Sequence, residues 1–270
     1  MNKILLIASL AALIAISGCT SVQNGGGLSV ALQADPPRVF SSGFTTLHID
    51  LDNRQSKTIS NVVVELFDTG LLQSEPCRRI LPRMLPNEFQ SVACTLSAPE
   101  VIESIESEIN VKTTFESQLS ANQVFELMDE DEHERRRATG TFAVQPDSYS
   151  YRDKNVQLQI DFSENPPLVV RPGKEYFVYL TIKNVGNGFV SSIKHGDLVI
   201  SYNSLRPKAL LDCPVLRQKV VLYPNGDTFP RIACNIILTG PVDSLENSDF
   251  IATLSYEYEI RNSLRISVVK

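Results

Sequence analysis

The chain has few of the residues from which catalytic and metal sites are commonly built. Its 270 residues include no tryptophan and only three histidines, and the motifs G-x-S-x-G, H-E-x-x-H, G-x-x-x-x-G-K-[ST] and G-x-G-x-x-G are all absent. Those motifs mark nucleophile elbows, zinc peptidases, P-loops and dinucleotide-binding folds. We therefore expect a protein that is not an enzyme and that has neither a cofactor nor a metal site.

An excess of basic charge is also missing. The 25 Lys and Arg residues are outnumbered by 31 Asp and Glu residues, and the formal net charge is −6. Nucleic-acid binding draws most of its affinity from basic side chains that neutralise phosphates, so nucleic acid is not an expected partner. With 43% hydrophobic and 21% charged residues, the composition is that of a globular protein.

The N-terminal segment contains the longest apolar run. Residues 4–16 are almost wholly apolar, follow Lys3, and precede the small residues Ser17 and Gly18. A charged start, an apolar core and small residues form the pattern of a signal peptide. As a helix the run spans about 20 Å, which is short of the ~30 Å hydrocarbon core of a bilayer. The pattern predicts a cleaved signal peptide over residues 1–18.

The residues Ile16-Ser17-Gly18-Cys19 resemble the lipobox of prokaryotic lipoproteins. This resemblance implies cleavage before Cys19 and a diacylglyceryl group on its thiol. The mature chain would then be held by lipid at the extracytoplasmic face of a membrane in the cell envelope. Residues 19–27 are polar and glycine-rich, which predicts a flexible tether behind the lipid. The alternative is an ordinary secretory signal in which Cys19 occurs by chance.

The rest of the chain contains one unit twice. The sequence LSVALQADPPRVFSSGFTTLHIDLDN, which begins at Leu28, corresponds to LQIDFSENPPLVVRPGKEYFVYLTIKN, which begins at Leu158. In both copies apolar and polar residues alternate, and Gly, Pro and Asn turns recur about every ten residues. This pattern predicts an all-β chain with two tandem antiparallel β-sandwich domains, at residues 28–127 and 156–270.

The last part of each copy is predicted to contain two strands. These are EINVKTTFESQL and then NQVFEL in the first copy, and FIATLSYEYEI and then SLRISVV in the second.

Four cysteines remain in the exported part of the chain, two in each copy. Each pair brackets a loop that contains Pro-Asn, which suits two neighbouring strands. We predict the disulfides Cys77–Cys94 and Cys213–Cys234, each stabilising its domain by about 3 kcal/mol on the chain-entropy estimate. Zinc binding is the alternative, but the chain has no C-x-x-C and no histidine near either pair.

Residues 128–155 differ in kind from both copies. The run DEDEHERRR surrounds His133 with acids and arginines, and Gly, Pro, Ser and Tyr follow it. We predict a solvated interdomain linker, with Tyr149 and Tyr151 available to pack it on a domain. The alternative is a docking strip for a basic partner or a divalent ion, although the acids lack the spacing of a calcium loop.

Two histidines are candidate site residues. His48, Asp50 and Asp52 alternate along one strand and share a face, which suits a cation. The matching positions in the second copy do not repeat this cluster, so we expect the three side chains to face water. His195 in SSIKHGDL is predicted to be a turn residue, because no acid and nucleophile accompany it in the sequence.

The segment NPPLVVRPGKEYFVYLTIKNVGNGFVSSI resembles the opening of CARDB-type Ig-like repeat domains of prokaryotic surface proteins, with Asn184, Gly186 and Gly188 carrying the likeness. The first copy keeps the asparagine at Asn53 but not the glycines. The resemblance implies Ig-like sandwiches that act as spacers, adhesion modules or assembly modules, with an envelope protein as partner beside the membrane.

Two other functions remain open at this point. One is an accessory subunit of an envelope enzyme or transporter complex. The other is a carbohydrate-binding module, which the absence of tryptophan disfavours because glycan sites often use aromatic platforms. No small-molecule ligand is indicated by the sequence.

Overall fold

The computed structural model describes residues 21–22, 27–171, 174–204, 209–238, 242 and 244–270. The predicted signal peptide and Cys19 lie outside the described residues. Neither helix within the described ranges has the length and apolar character that crossing a membrane requires.

The regular elements of the described chain are strands apart from two short helices, which confirms the predicted all-β class. Its elements, in chain order, are β1 (Ser21–Val22), β2 (Leu28–Asp35), β3 (Arg38–Phe40), β4 (Phe44–Asn53), β5 (Ile59–Asp68), β6 (Gln73–Ser74), β7 (Arg78–Met84), β8 (Phe89–Ser97), β9 (Ile105–Asp129), α1 (Glu130–Ala138), β10 (Ser148–Arg152), β11 (Val156–Phe162), β12 (Leu168–Val170), β13 (Tyr176–Asn184), β14 (Leu198–Ser204), β15 (Ala209–Asp212), α2 (Pro214–Arg217), β16 (Ile232–Leu238) and β17 (Leu245–Val269).

These elements form two compact units. Unit 1 takes the chain up to Phe115 together with Ile260–Lys270, and unit 2 takes Glu116–Glu259. In unit 1 one sheet has the order β1-β2-β4-β8-β6. The other layer consists of β7, β5, the first half of β9 and the end of β17, which pairs in parallel with β3. Leu47, Ile49 and Leu51 alternate along β4 and are fully buried in the core.

Unit 2 has a corresponding order of strands. Its first sheet is β10-β11-β13-β16-β15, and its other layer consists of β14, the first part of β17 and the last part of β9, which pairs in parallel with β12. Leu158 and Ile160 on β11 and Val178 and Leu180 on β13 are fully buried. In both units the period-two alternation of the sequence therefore places one face of each central strand in the core.

The prediction of two separate strands at the end of each copy was wrong. β9 and β17 are single strands of 25 residues each. Buried residues recur at every second position without interruption from Ile109 to Leu127 and from Phe250 to Val268. Neither strand contains Gly or Pro, and the turn-favouring residues at their middles, Asn122 and Asn262, are accommodated within the continuous strands. As a result Ile260–Lys270 belongs to unit 1, and the bounds of the two units differ from those predicted.

The segment predicted as a linker contains α1 and β10. Asp129 caps the helix by accepting a hydrogen bond from the Glu132 amide at 2.6 Å, and acids fill the first turn while arginines fill the last. This order of charge suits the helix dipole. Hydrogen bonds from Arg135 and then Arg136 lower the pKa of Glu132 to about 2. Within the segment predicted as a solvated linker, the charged run therefore forms a capped helix.

Strand β10 is an edge strand of unit 2, and it carries both linker tyrosines. Tyr149 packs edge-on against Phe162, with ring centroids 6.1 Å apart. Tyr151 donates a hydrogen bond to the carbonyl oxygen of Asn122 at 2.7 Å. Residues 148–152 thus pack on unit 2, which is the packing that the sequence left open for the two tyrosines.

Both predicted disulfides are present. Cys77, which lies between β6 and β7, is bonded to Cys94 on β8, and Cys213, which follows β15, is bonded to Cys234 on β16. Each bond joins neighbouring segments of one unit.

Candidate binding site at the edge of unit 2

A cavity of about 310 Å³ opens at one edge of unit 2. It lies beside β14 and β15, each of which is the last strand of its layer in the described chain. α2 and the segments 193–196 and 218–222 complete its lining. The volume is at the small end of the range for ligand pockets, which suits a side chain or a small apolar group.

The lining of the cavity is mainly apolar. Ile193 and Leu222 are buried, and each donates its amide to the carbonyl oxygen of the other at 2.9 Å, which joins the two loops at the base. At the mouth, Val199 is 57% exposed and Val220 is 45% exposed. Apolar side chains that stay exposed next to a cavity are a common feature of binding surfaces.

Charged side chains border this apolar lining. Arg217 donates from one terminal nitrogen to both carboxylate oxygens of Asp212, at 2.6 and 2.8 Å. Lys194 and His195 are exposed in a turn that ends where Asp197 accepts the Lys194 amide at 2.7 Å. His195 is therefore the turn residue that the sequence predicts. Asp212 is matched by Arg217, and Lys194 lines the cavity whereas Asp197, the acid of the same turn, does not.

Sequence reasoning finds little of this site. Of its lining residues the sequence draws attention only to His195 and Cys213, neither of them for this role. The signal available is a run of consecutive apolar residues within KVVL at 219–222, which interrupts strict alternation. The cavity itself depends on which strands end the two layers, and that is decided by long-range pairing.

The asparagine and glycines that carry the family resemblance build a turn. The Asn184 side chain donates to the carbonyl oxygen of Gly188 at 2.7 Å and accepts from the Tyr258 hydroxyl at 3.1 Å. That hydroxyl also accepts the Gly188 amide at 2.9 Å. In unit 1 Asn53 likewise donates to main-chain oxygens, those of Met84 at 3.1 Å and Leu85 at 2.9 Å. These residues hold main chain in place.

A second polar cluster lies in the interior of unit 2. The Tyr256 hydroxyl donates to Asp153 at 2.6 Å and accepts from the Asn155 side chain at 3.3 Å. Burial, reinforced by the charge of Asp153, strongly raises the pKa of Tyr256. Burial also raises the pKa of Tyr258 to about 12. Because the folded state holds these protons, their contribution to stability is complete below about pH 10 and is lost as pH rises further.

This difference is measurable because phenolate absorbs at a longer wavelength than the protonated phenol. At about pH 11, above the ordinary tyrosine pKa of about 10, Tyr256→Phe is expected to leave the phenolate absorbance of the folded protein unchanged. In denaturant the phenolate absorbance of the same variant is expected to fall by the share of one tyrosine out of eight. The measurement in denaturant is the control, because it shows that the absorbance of the missing tyrosine is detectable. A fall in the folded signal of Tyr256→Phe would contradict the buried network.

The strand face of His48 does not form a cation site. Asp50 accepts a hydrogen bond from the Ser91 hydroxyl at 2.6 Å, and Asp52 pairs with Arg54 at 2.7 Å. Among the described residues no three His, Cys, Asp or Glu side chains are grouped in a way that suits a metal ion.

The fold and this site define a disulfide-bonded all-β protein with an apolar cavity beside β14 and β15, the last strands of their layers in the described chain. No protein-family model matches the chain, and no curated protein matches it. A protein of unknown function from Porphyromonas gingivalis W83 aligns at 10% identity over 78% of this chain and 84% of its own, with a TM-score of 0.24. The secreted serine protease VesC from Vibrio cholerae aligns at 10% identity over 82% of this chain and 48% of its own, with a TM-score of 0.19. Similarity this low carries no argument about function.

Proposed function

We propose that this protein is a non-catalytic envelope lipoprotein that binds a protein partner at the open edge of unit 2. In this proposal its domains are Ig-like, a lipid on Cys19 anchors the chain outside the cytoplasm, and the cavity beside β14 and β15 receives the partner. The observation that carries the binding role is the apolar cavity between two edge strands.

The two disulfides support the location. Structural disulfides persist in oxidising compartments such as the periplasm and the cell surface, and are rare in the cytosol. Each unit holds one such bond. The lipobox resemblance of Ile16-Ser17-Gly18-Cys19 supports the anchor.

The chemistry of the edge favours an extended segment as the bound element. The outer edge of a terminal strand presents main-chain donors and acceptors that an added strand pairs with, and a neighbouring pocket selects a side chain. Here the pocket is apolar, with Val199 at its mouth, and Lys194 stands at the rim. We expect the bound segment to place an apolar side chain in the cavity and an acidic one near Lys194.

The binding role is tested by a charge at the mouth of the cavity. Val199→Glu is expected to reduce recovery of the partner about tenfold, the equivalent of 1.4 kcal/mol, because it buries a carboxylate without a partner. The measurement is quantitative co-purification of the full-length protein from native membranes in mild detergent. Val124→Glu, at a position of β9 that is 47% exposed, is the matched control.

Equal losses in Val199→Glu and Val124→Glu would contradict binding at the cavity.

The anchor is tested on the same material by intact-mass measurement, which is expected to show a chain that starts at Cys19 and carries lipid mass. A mature chain without lipid would contradict the anchor and leave the cavity test unaffected.

A further inference from the structure

Three large apolar residues are exposed to solvent at one end of unit 1. Phe40 ends β3, Phe44 begins β4, and Ile102 lies in the loop between β8 and β9. Their side chains are 71%, 68% and 87% exposed, respectively. We call these three residues the tip patch. Single exposed apolar residues are ordinary, but several on adjoining loops mark an interaction surface.

The loops that carry the tip patch are held against each other. The Ala98 amide donates to the Gly43 carbonyl oxygen at 2.8 Å, and the Ser42 amide donates to the Pro99 carbonyl oxygen at 3.3 Å. The Val101 amide donates to the Ser41 hydroxyl at 2.9 Å. The β3–β4 turn and the loop of Ile102 therefore form one continuous end of unit 1, and the patch is built into the fold.

The direction of β1 connects this end with the proposed anchor. β1 pairs antiparallel with β2, so that Ser21 lies opposite Leu32 and Val22 lies opposite Ala31. β1 therefore starts on the side of β2 that ends at Asp35, which is the end at which β3 and the tip patch follow. Cys19 precedes Ser21 by two residues, a reach of at most about 7 Å.

Charge at this end does not favour an anionic surface. Arg38 and Lys270 are exposed at this end, and so are Asp35, Glu100 and Glu103, so acids outnumber bases among them. Attraction to anionic lipid depends on Lys and Arg clusters, which these residues do not provide. The apolar side chains are left as the source of affinity, and aromatic rings are favoured at the depth of the headgroups.

We propose that the tip patch is a membrane-contact surface that inserts into the bilayer interface beside the lipid on Cys19. This inference rests on the anchor in the proposed function. It adds a second attachment, because apolar side chains buried at the interface act together with the acyl chains. It also assigns the orientation of unit 1, with the Phe44 end of β4 toward the bilayer and the opposite end away from it.

The absence of tryptophan makes this orientation directly measurable. Phe44→Trp and Phe89→Trp each introduce a single reporter at an exposed phenylalanine, and register places them at opposite ends of the β4–β8 pair. The mature protein is reconstituted in phosphatidylcholine vesicles with and without brominated acyl chains. Bromine is expected to quench the emission of Phe44→Trp by about twofold or more and to leave Phe89→Trp unchanged, because only the first reaches the interface.

Quenching of Phe89→Trp alone, or of neither reporter, would overturn the proposal. The same preparations are measured by intact mass, so that a missing lipid is seen as a failure of the anchor and is separated from the quenching result. Adding phosphatidylglycerol is expected not to increase quenching of Phe44→Trp. An increase that salt abolishes would show electrostatic adsorption and would also overturn insertion of the patch.

Discussion

Replacing both disulfides by alanine pairs is expected to lower the free energy of unfolding by about 3 kcal/mol in each unit. The bonds close loops with sequence separations of 17 and 21 residues, so their removal frees the unfolded chain to a similar extent in both. Alanine is the suitable replacement because Cys94 and Cys234 are buried, and serine would place a hydroxyl in the core.

Hydrogen exchange read by mass spectrometry separates the two units, which a single unfolding midpoint does not. Cys77→Ala with Cys94→Ala is expected to reduce amide protection in β4 and β8, and Cys213→Ala with Cys234→Ala is expected to reduce it in β13 and β16. Each pair serves as the other's control. Losses below about 1 kcal/mol in both units would show that the bonds do little to stabilise the fold.

Gly188→Ala is expected to destabilise unit 2 by about 3 kcal/mol, because overpacking against main chain leaves little room for relaxation. A Cβ at this position would overlap the carbonyl oxygen of Glu259 and would approach Cε1 of Tyr258 to 2.7 Å. Tyr258 and Glu259 both lie on β17, and the Tyr258 hydroxyl is hydrogen-bonded to the Gly188 amide and to the Asn184 side chain. A shift of the glycine therefore disturbs the turn and the strand together.

Gly226→Ala is the matched control in the same unit. Gly226 has φ of +64°, but a Cβ added there would meet no other atom of the described chain within 4 Å. Only backbone strain of about 1 kcal/mol is therefore expected. Chemical denaturation followed by circular dichroism measures both variants. Equal losses would show that the close approach of β17 to Gly188 is relaxed at little cost, and would contradict the packing described for this turn.

The two proposals concern different units and are tested separately. The cavity of unit 2 is assessed through Val199, and the tip patch of unit 1 through Phe44. A protein that binds its partner normally with Val199→Glu but shows quenching at Phe44→Trp would be a membrane-contacting lipoprotein whose partner site lies elsewhere.

Much of the secondary structure was open to prediction because it depends on local alternation. The period-two pattern of β2, β4, β11 and β13 predicts strands with one buried face, and that face is buried. The cysteine pairs were also predictable, since each brackets a short loop. Helix α1 was missed although its acids precede its bases, because a run dominated by charged residues has the composition of a solvated segment.

By itself, the sequence determined that this chain is all-β and that its disulfides join Cys77 to Cys94 and Cys213 to Cys234. Only the tertiary structure decided that β9 and β17 run on through the positions where turns were expected. Alternation continues equally well in one long strand or in two short ones, and the choice depends on which distant strands are available to pair. The cavity and the tip patch also depend on long-range pairing, because the order of the strands decides which residues lie at a sheet edge, beside a cavity or at one end of a unit.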